Sequence, residues 1–209
     1  MRSATRVTVS TFGALAGLAG MEHGIGEILQ GNIAPAGMVF LSWPRSAFFQ
    51  VLNGEPAMTV VPNLLATGIL AILFSFAFLV WAIGFVHRKH GVLVLFLLSI
   101  VLLLVGGGFG PPLLGLILTA AGTRINKPLA SRRVNHTTGL RVILAKLWRW
   151  SYAAALAAWL LLMPGLSILS YFFGVENAGL TYITILWAFG FLLVSSFTGL
   201  ARAGTRATA

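Results

Sequence analysis

The chain has 209 residues, of which 58% are hydrophobic and only 9% charged, against roughly 45–50% and 25% in ordinary soluble domains. Its formal net charge is +10, with 14 basic and 4 acidic residues, and it contains no cysteine, which excludes disulfides, thiolate metal sites and thiol redox chemistry. This composition predicts an all-α, polytopic helical membrane protein: one integral membrane domain over residues 1–209, with no room for a soluble module.

The first predicted segment covers about Val7–Leu29. Gly13, Gly17, Gly20, Gly24 and Glu27 recur at alternating spacings of four and three, so they keep to one helix face. Such a seam suits close approach of a second helix, either within the chain or from a partner or second copy. Glu22 and Glu27, with His23 between them, close this segment and form the concentrated chemistry of the sequence. Ionisable groups at membrane depth are costly, about 2.5–3.5 kcal/mol on insertion scales, and mark functional sites. By helical spacing His23 flanks the seam and Glu27 continues it, whereas Glu22 projects away. Arg2, Arg6 and the Ala14-Leu15-Ala16 run also resemble a secretory signal, but the glycine seam runs through the possible cleavage point and argues for retention.

Residues 31–61 form a long connection poor in charge and rich in Pro, Gly, Trp and Phe. Its aromatic groups suit a membrane interface, with a short helix expected around Ser46–Leu52. Folded back as a lid, the same loop would bring Arg45 to a carboxylate.

A second apolar segment is predicted at about Pro62–Val86, followed by the basic turn His87-Arg88-Lys89-His90. The next uncharged stretch is interrupted by Gly106, Gly107, Gly108, Gly110, Pro111 and Pro112. It reads as a hairpin with arms 91–107 and 111–123, the glycines supplying the turn and the prolines stopping the first arm. The second reading is a broken helix whose freed backbone groups hold a substrate. No Gly-Lys-Ser/Thr ending accompanies these glycines, so a phosphate cradle is disfavoured.

Seven basic residues and no acid lie between Arg124 and Arg149. Beside a membrane they act first as an orientation signal and a surface for anionic lipid, not as a nucleic-acid site. Gly139–Trp150 is expected to form an interfacial amphipathic helix, with Arg141, Lys146 and Arg149 on its polar side. The last segments are predicted at about 151–173, kinked at Pro164, and 180–200. The positive-inside rule then places both termini on the cytoplasmic side of the plasma membrane and the acidic residues near the outer side.

No nucleophile elbow or His-Glu-x-x-His motif is present, so no catalytic residues are assigned. No cofactor is expected. Glu22, His23 and Glu27 supply too few ligands for a closed zinc site unless Glu55 or Glu176 folds over them, so no metal site is assigned either. The leading expectation is a small carrier or channel-like protein for an ion, proton or small solute, using Glu22, His23, Glu27 and Arg45. A membrane accessory subunit comes second and a lipid-modifying enzyme third.

Overall fold

The computed structural model describes residues 3–125 and 138–205. Among them, helix α1 spans Ala4–Gln30, capped by the Ser3 hydroxyl, which accepts from the Arg6 N–H at 3.2 Å. It stops at Gly31, whose φ of +88° is open to glycine without strain. Helix α2 covers Leu64–Val80 and continues through a widened turn to Phe85. Its first turn is closed by Asn63, whose side-chain oxygen accepts from the Ala66 N–H at 3.0 Å. Helices α3 (Gly91–Leu104) and α4 (Gly110–Gly122) are short. Helix α5 (Thr138–Leu160) passes through a widened turn at Leu161–Gly165 into α6 (Leu166–Phe173). Helix α7 occupies Ala178–Thr205.

Three of these stretches are long and apolar enough to cross a membrane: Leu64–Phe85, Val142–Phe173 and Ala178–Ala203. The expectation of about six segments is therefore met in half of its members. The reason differs between the others. Helices α3 and α4 are only 14 and 13 residues long, about 20 Å each at 1.5 Å per residue. Helix α1 is long but chemically mixed, because it lies inside the bundle against α2, α4, α5 and α7. Protein surrounds Thr5, Thr8 and Ser10, all buried, and neighbouring helices satisfy part of their polarity. The Ser10 hydroxyl donates to the Ala82 carbonyl at 2.9 Å, and the Trp148 indole donates to the Thr8 hydroxyl at 3.1 Å.

The glycine seam faces α2. A Cβ at Gly17 would lie 2.6 Å from the Leu79 Cβ, and one at Gly24 would lie 2.7 Å from the Gly68 carbonyl oxygen. Gly13 and Gly20 meet Ala82 and Ser75 in the same way. Within this chain α2 thus covers the face that the spacing also offered to a partner helix. The rest of the core is built from Phe12, Phe78, Leu95, Leu114, Leu118 and Leu192.

Between α1 and α2 the chain folds back as a small antiparallel pair, β1 (Val39–Leu41) with β2 (Pro56–Met58), enclosing a 3-10 helix at Ala47–Leu52. This pair reaches the glycine-rich turn between α3 and α4. The Gly106 N–H donates to the Met58 carbonyl and the Val60 N–H to the Leu104 carbonyl, both at 2.9 Å. The irregular backbone is therefore satisfied by protein, as a break between apolar helices requires.

One local expectation is corrected here. Pro111 and Pro112 open α4 instead of ending α3, which suits a residue whose missing N–H has no partner in a first helical turn. The amphipathic stretch Gly139–Trp150 is helical and leads without a break into the fifth segment as the first turns of α5. Arg141 falls in its first turns, while Lys146 and Arg149 are exposed and Ala145 and Trp148 turn toward α7. Lys127, Arg132, Arg133 and His136 of the basic run lie outside the described residues. Pro164 sits inside the widened turn that joins α5 to α6, the distortion expected where a ring removes a helical hydrogen bond.

Candidate functional site

The last two turns of α1 project Glu22, His23 and Glu27 toward the β1–β2 loop and the glycine-rich turn. His23 is 4% exposed and Glu27 not at all. The loop adds a group that helical spacing on α1 does not supply. Glu55 places Oε2 at 2.9 Å from His23 Nε2, forming an ion pair when the imidazole is protonated. Glu22 joins them, and one ligand atom from each of Glu22, His23 and Glu55 lies within 4.8 Å of the others. Glu22 therefore belongs with His23, although its helical angle points it away from the seam. The side facing away from α2 is where the loop arrives.

Glu55 reaches this place at a conformational cost. Asn53, Gly54 and Glu55 have φ values of +53°, +66° and +56°, three successive residues in the left-handed region. For a glutamate this costs roughly 1–2 kcal/mol. The same turn lets the Ser42 and Trp43 N–H groups donate to the Glu55 and Gly54 carbonyls at 3.0 and 2.9 Å.

On the far side of the imidazole, Nδ1 lies 2.9 Å from the Ser42 hydroxyl, which in turn donates to Glu27 Oε1 at 3.4 Å. With its proton directed to Glu27, the hydroxyl accepts from Nδ1–H, so the neutral tautomer presents a bare Nε2 lone pair to Glu55. Glu27 Oε2 has no hydrogen-bond partner among the described residues, and neither has Glu22 Oε1. No Lys or Arg pairs with Glu22, Glu27 or Glu55 among those residues. Arg45, expected beside a carboxylate, instead lines a separate groove of about 410 Å³ with Gln30, Trp43 and Pro44. Glu176, the other acid that the sequence offered to a metal, is exposed in the turn before α7.

The glycine-rich turn closes the site from above. Gly106 (φ +91°) leaves room for the Glu27 carboxylate, and Gly108 (φ +75°) for the His23 ring. Gly107 and Gly110 touch neither group, and Gly110 has open space beside it.

Glu22, His23 and Glu55 are the ionisable residues in the wall of a cavity of about 650 Å³. The remaining wall is apolar and includes Leu18, Phe48, Phe109, Leu113, Trp159 and Met163. The widened turn between α5 and α6 contributes Leu162, Met163 and Pro164. Glu27 is sealed off behind Ser42 and does not reach this space. The arrangement combines a hydrogen-bonding, cation-attracting corner with an apolar volume of the size usual for small-molecule sites. Ser42 carries no sequence signal beyond being a polar residue in an apolar loop, and Glu55 is singled out only as one of two acids able to fold over the α1 group.

Comparison with protein-family models, with curated proteins and with solved structures finds no match for this chain.

Proposed function

We propose that this chain is a multi-pass membrane protein that binds a small amphiphilic solute, as a carrier does. The solute's apolar part would occupy the 650 Å³ cavity and its polar end would meet Glu22, His23 and Glu55. The observation that carries this reading is the placement of the three ionisable groups together on one wall of an otherwise apolar space. A path for a bare ion would want polar groups along its length, and here they are gathered at one point. Carboxyl groups without a Lys or Arg partner at that point favour a hydrogen-bond-donating or positively charged head.

The direct test uses a dansyl-labelled medium-chain alkylamine and the purified protein in lipid nanodiscs. Energy transfer from Trp159 to the probe should saturate at stoichiometric occupancy. Leu113→Trp, which narrows the cavity at a half-exposed wall position, should abolish the saturable component without unfolding the protein. Purely non-saturable partitioning, unchanged by Leu113→Trp, would reject the reading.

A lipid-modifying enzyme is the second reading, favoured by the 2.9 Å carboxylate–imidazole pair, since such a pair can move a proton at a bound head group. Turnover of an added lipid, lost in His23→Gln, separates it from a carrier.

A further inference from the structure

We infer that Glu22, His23 and Glu55 bind a single divalent first-row transition-metal ion, with its free coordination positions turned to the apolar cavity. This inference stands on the three side chains alone and does not need an amphiphilic solute.

The donor set comes first. One imidazole nitrogen and two carboxylates are borderline-to-hard ligands suited to Zn²⁺, Mn²⁺ or Fe²⁺, and three protein ligands leave room for water or substrate. Their ligand atoms lie within 4.8 Å of one another. An ion about 2.0–2.2 Å from each would draw the more distant pair together by about 1 Å, a movement that side-chain rotation of the two glutamates can supply.

The tautomer supplies a second, independent argument. With the Ser42 proton directed to Glu27, Nδ1 carries the imidazole proton and the Nε2 lone pair faces the Glu55 carboxylate at 2.9 Å. Two lone pairs at that distance repel unless a proton or a metal ion sits between them, and an ion can take the place that the proton has in the ion pair. A metal ion satisfies both, and the Nδ1–H···Ser42···Glu27 chain is then the outer hydrogen-bonded support that metal-bound histidines use to hold their orientation. Fully buried Glu27, with Oε2 lacking a partner, anchors the far end of this chain behind the imidazole.

The surroundings agree with this assignment. No Lys or Arg balances the three carboxyl groups among the described residues, so apart from a proton on His23 the positive charge has to come from solution. The strained delivery of Glu55, through three residues of positive φ, concentrates a costly conformation at the residue that completes the ligand set.

The test is a cobalt(II) titration of purified, chelator-stripped protein carrying a histidine-free affinity tag. Saturable ligand-field absorption at one ion per chain is expected. His23→Ala and Glu55→Gln should each weaken binding by more than about 100-fold, beyond the loss typical of outer-shell changes, and Glu176→Gln should leave it unchanged. Absence of saturable absorption in the wild type overturns the inference, as does tight binding retained in both His23→Ala and Glu55→Gln. Should those variants fail to fold, X-ray absorption of the zinc-loaded wild type decides. One imidazole with oxygen ligands supports the site, whereas two imidazoles or none overturns it. The amphiphile assay is run without metal, so each reading can fail alone.

Discussion

Gly108 and His23 exclude each other's growth: a Cβ at position 108 would lie on the imidazole, 2.6 Å from both Cδ2 and Cε1 and overlapping Nε2. With φ at +75°, position 108 is also costly for any other residue. Gly108→Ala is therefore expected to lose about 1–2 kcal/mol from backbone strain and a further ~1–3 kcal/mol from overlap. Gly110→Ala, two residues on with open space around it, should change stability by less than about 0.5 kcal/mol. Thermal unfolding in mild detergent measures both. Equal stability of the two variants would show that the turn does not hold the imidazole.

The α1–α2 contact makes a comparable forecast away from the site. Gly24 and Gly68 face each other so closely that a Cβ on either would be 2.5–2.7 Å from the other's carbonyl oxygen. Gly24→Val should cost about 3 kcal/mol, the upper range for overpacking. Gly190→Ala in α7, where nothing lies within 4 Å, should instead stabilise by about 0.5–1 kcal/mol by removing helical glycine. Denaturation midpoints that move together in the two variants would contradict this packing.

Ser42 tests the support behind the proposed metal ligand. Ser42→Ala removes the acceptor for His23 Nδ1–H and should reduce cobalt affinity by about 10–100-fold with the helical content retained. Glu27→Gln keeps the shape but replaces the carboxyl group that accepts from Ser42, and its effect should run in the same direction. Undiminished affinity in Ser42→Ala would mean that packing alone orients the ring.

Because the chain has no native cysteine, single introduced cysteines report sidedness without background. Lys89→Cys and Arg149→Cys should react with a membrane-impermeant thiol reagent from one side of the membrane, and Asn53→Cys from the other. The contacts favour this: Trp148 meets Thr8 at one end of α1, and Phe48 meets Tyr171 near the other. Labelling of Lys89→Cys and Asn53→Cys from the same side would overturn the arrangement.

The elements that were legible in the sequence are those fixed by local composition. The segment expected at 62–86 is the helix Leu64–Phe85, and the Gly-Pro interruption separates α3 from α4. Helix α1 is less apolar than its scarcity of charge suggests, because Gly and small hydroxyl residues add little hydropathy. Their role is packing, which depends on which helices surround them. Glu55 was visible only as a condition for metal ligation. Its position follows from the β1–β2 pairing and three positive φ angles, and only glycine announces such angles in a sequence.

The enclosed position of α1 has a consequence for how the protein is made. A helix carrying Glu22, His23 and Glu27 and rich in glycine gains little by entering lipid alone, since glycine adds little hydropathy and ionisable side chains at its end resist leaving water. Its favourable environment is other helices, and α2, which covers its glycine face, emerges next from the ribosome. Insertion should therefore proceed as a paired unit, with α1 waiting at the translocon until α2 follows. In a glycosylation-reporter assay, residues 1–40 alone should insert poorly and residues 1–90 efficiently. Gly24→Val would then act on synthesis itself, lowering the inserted fraction before a mature bundle exists to be destabilised.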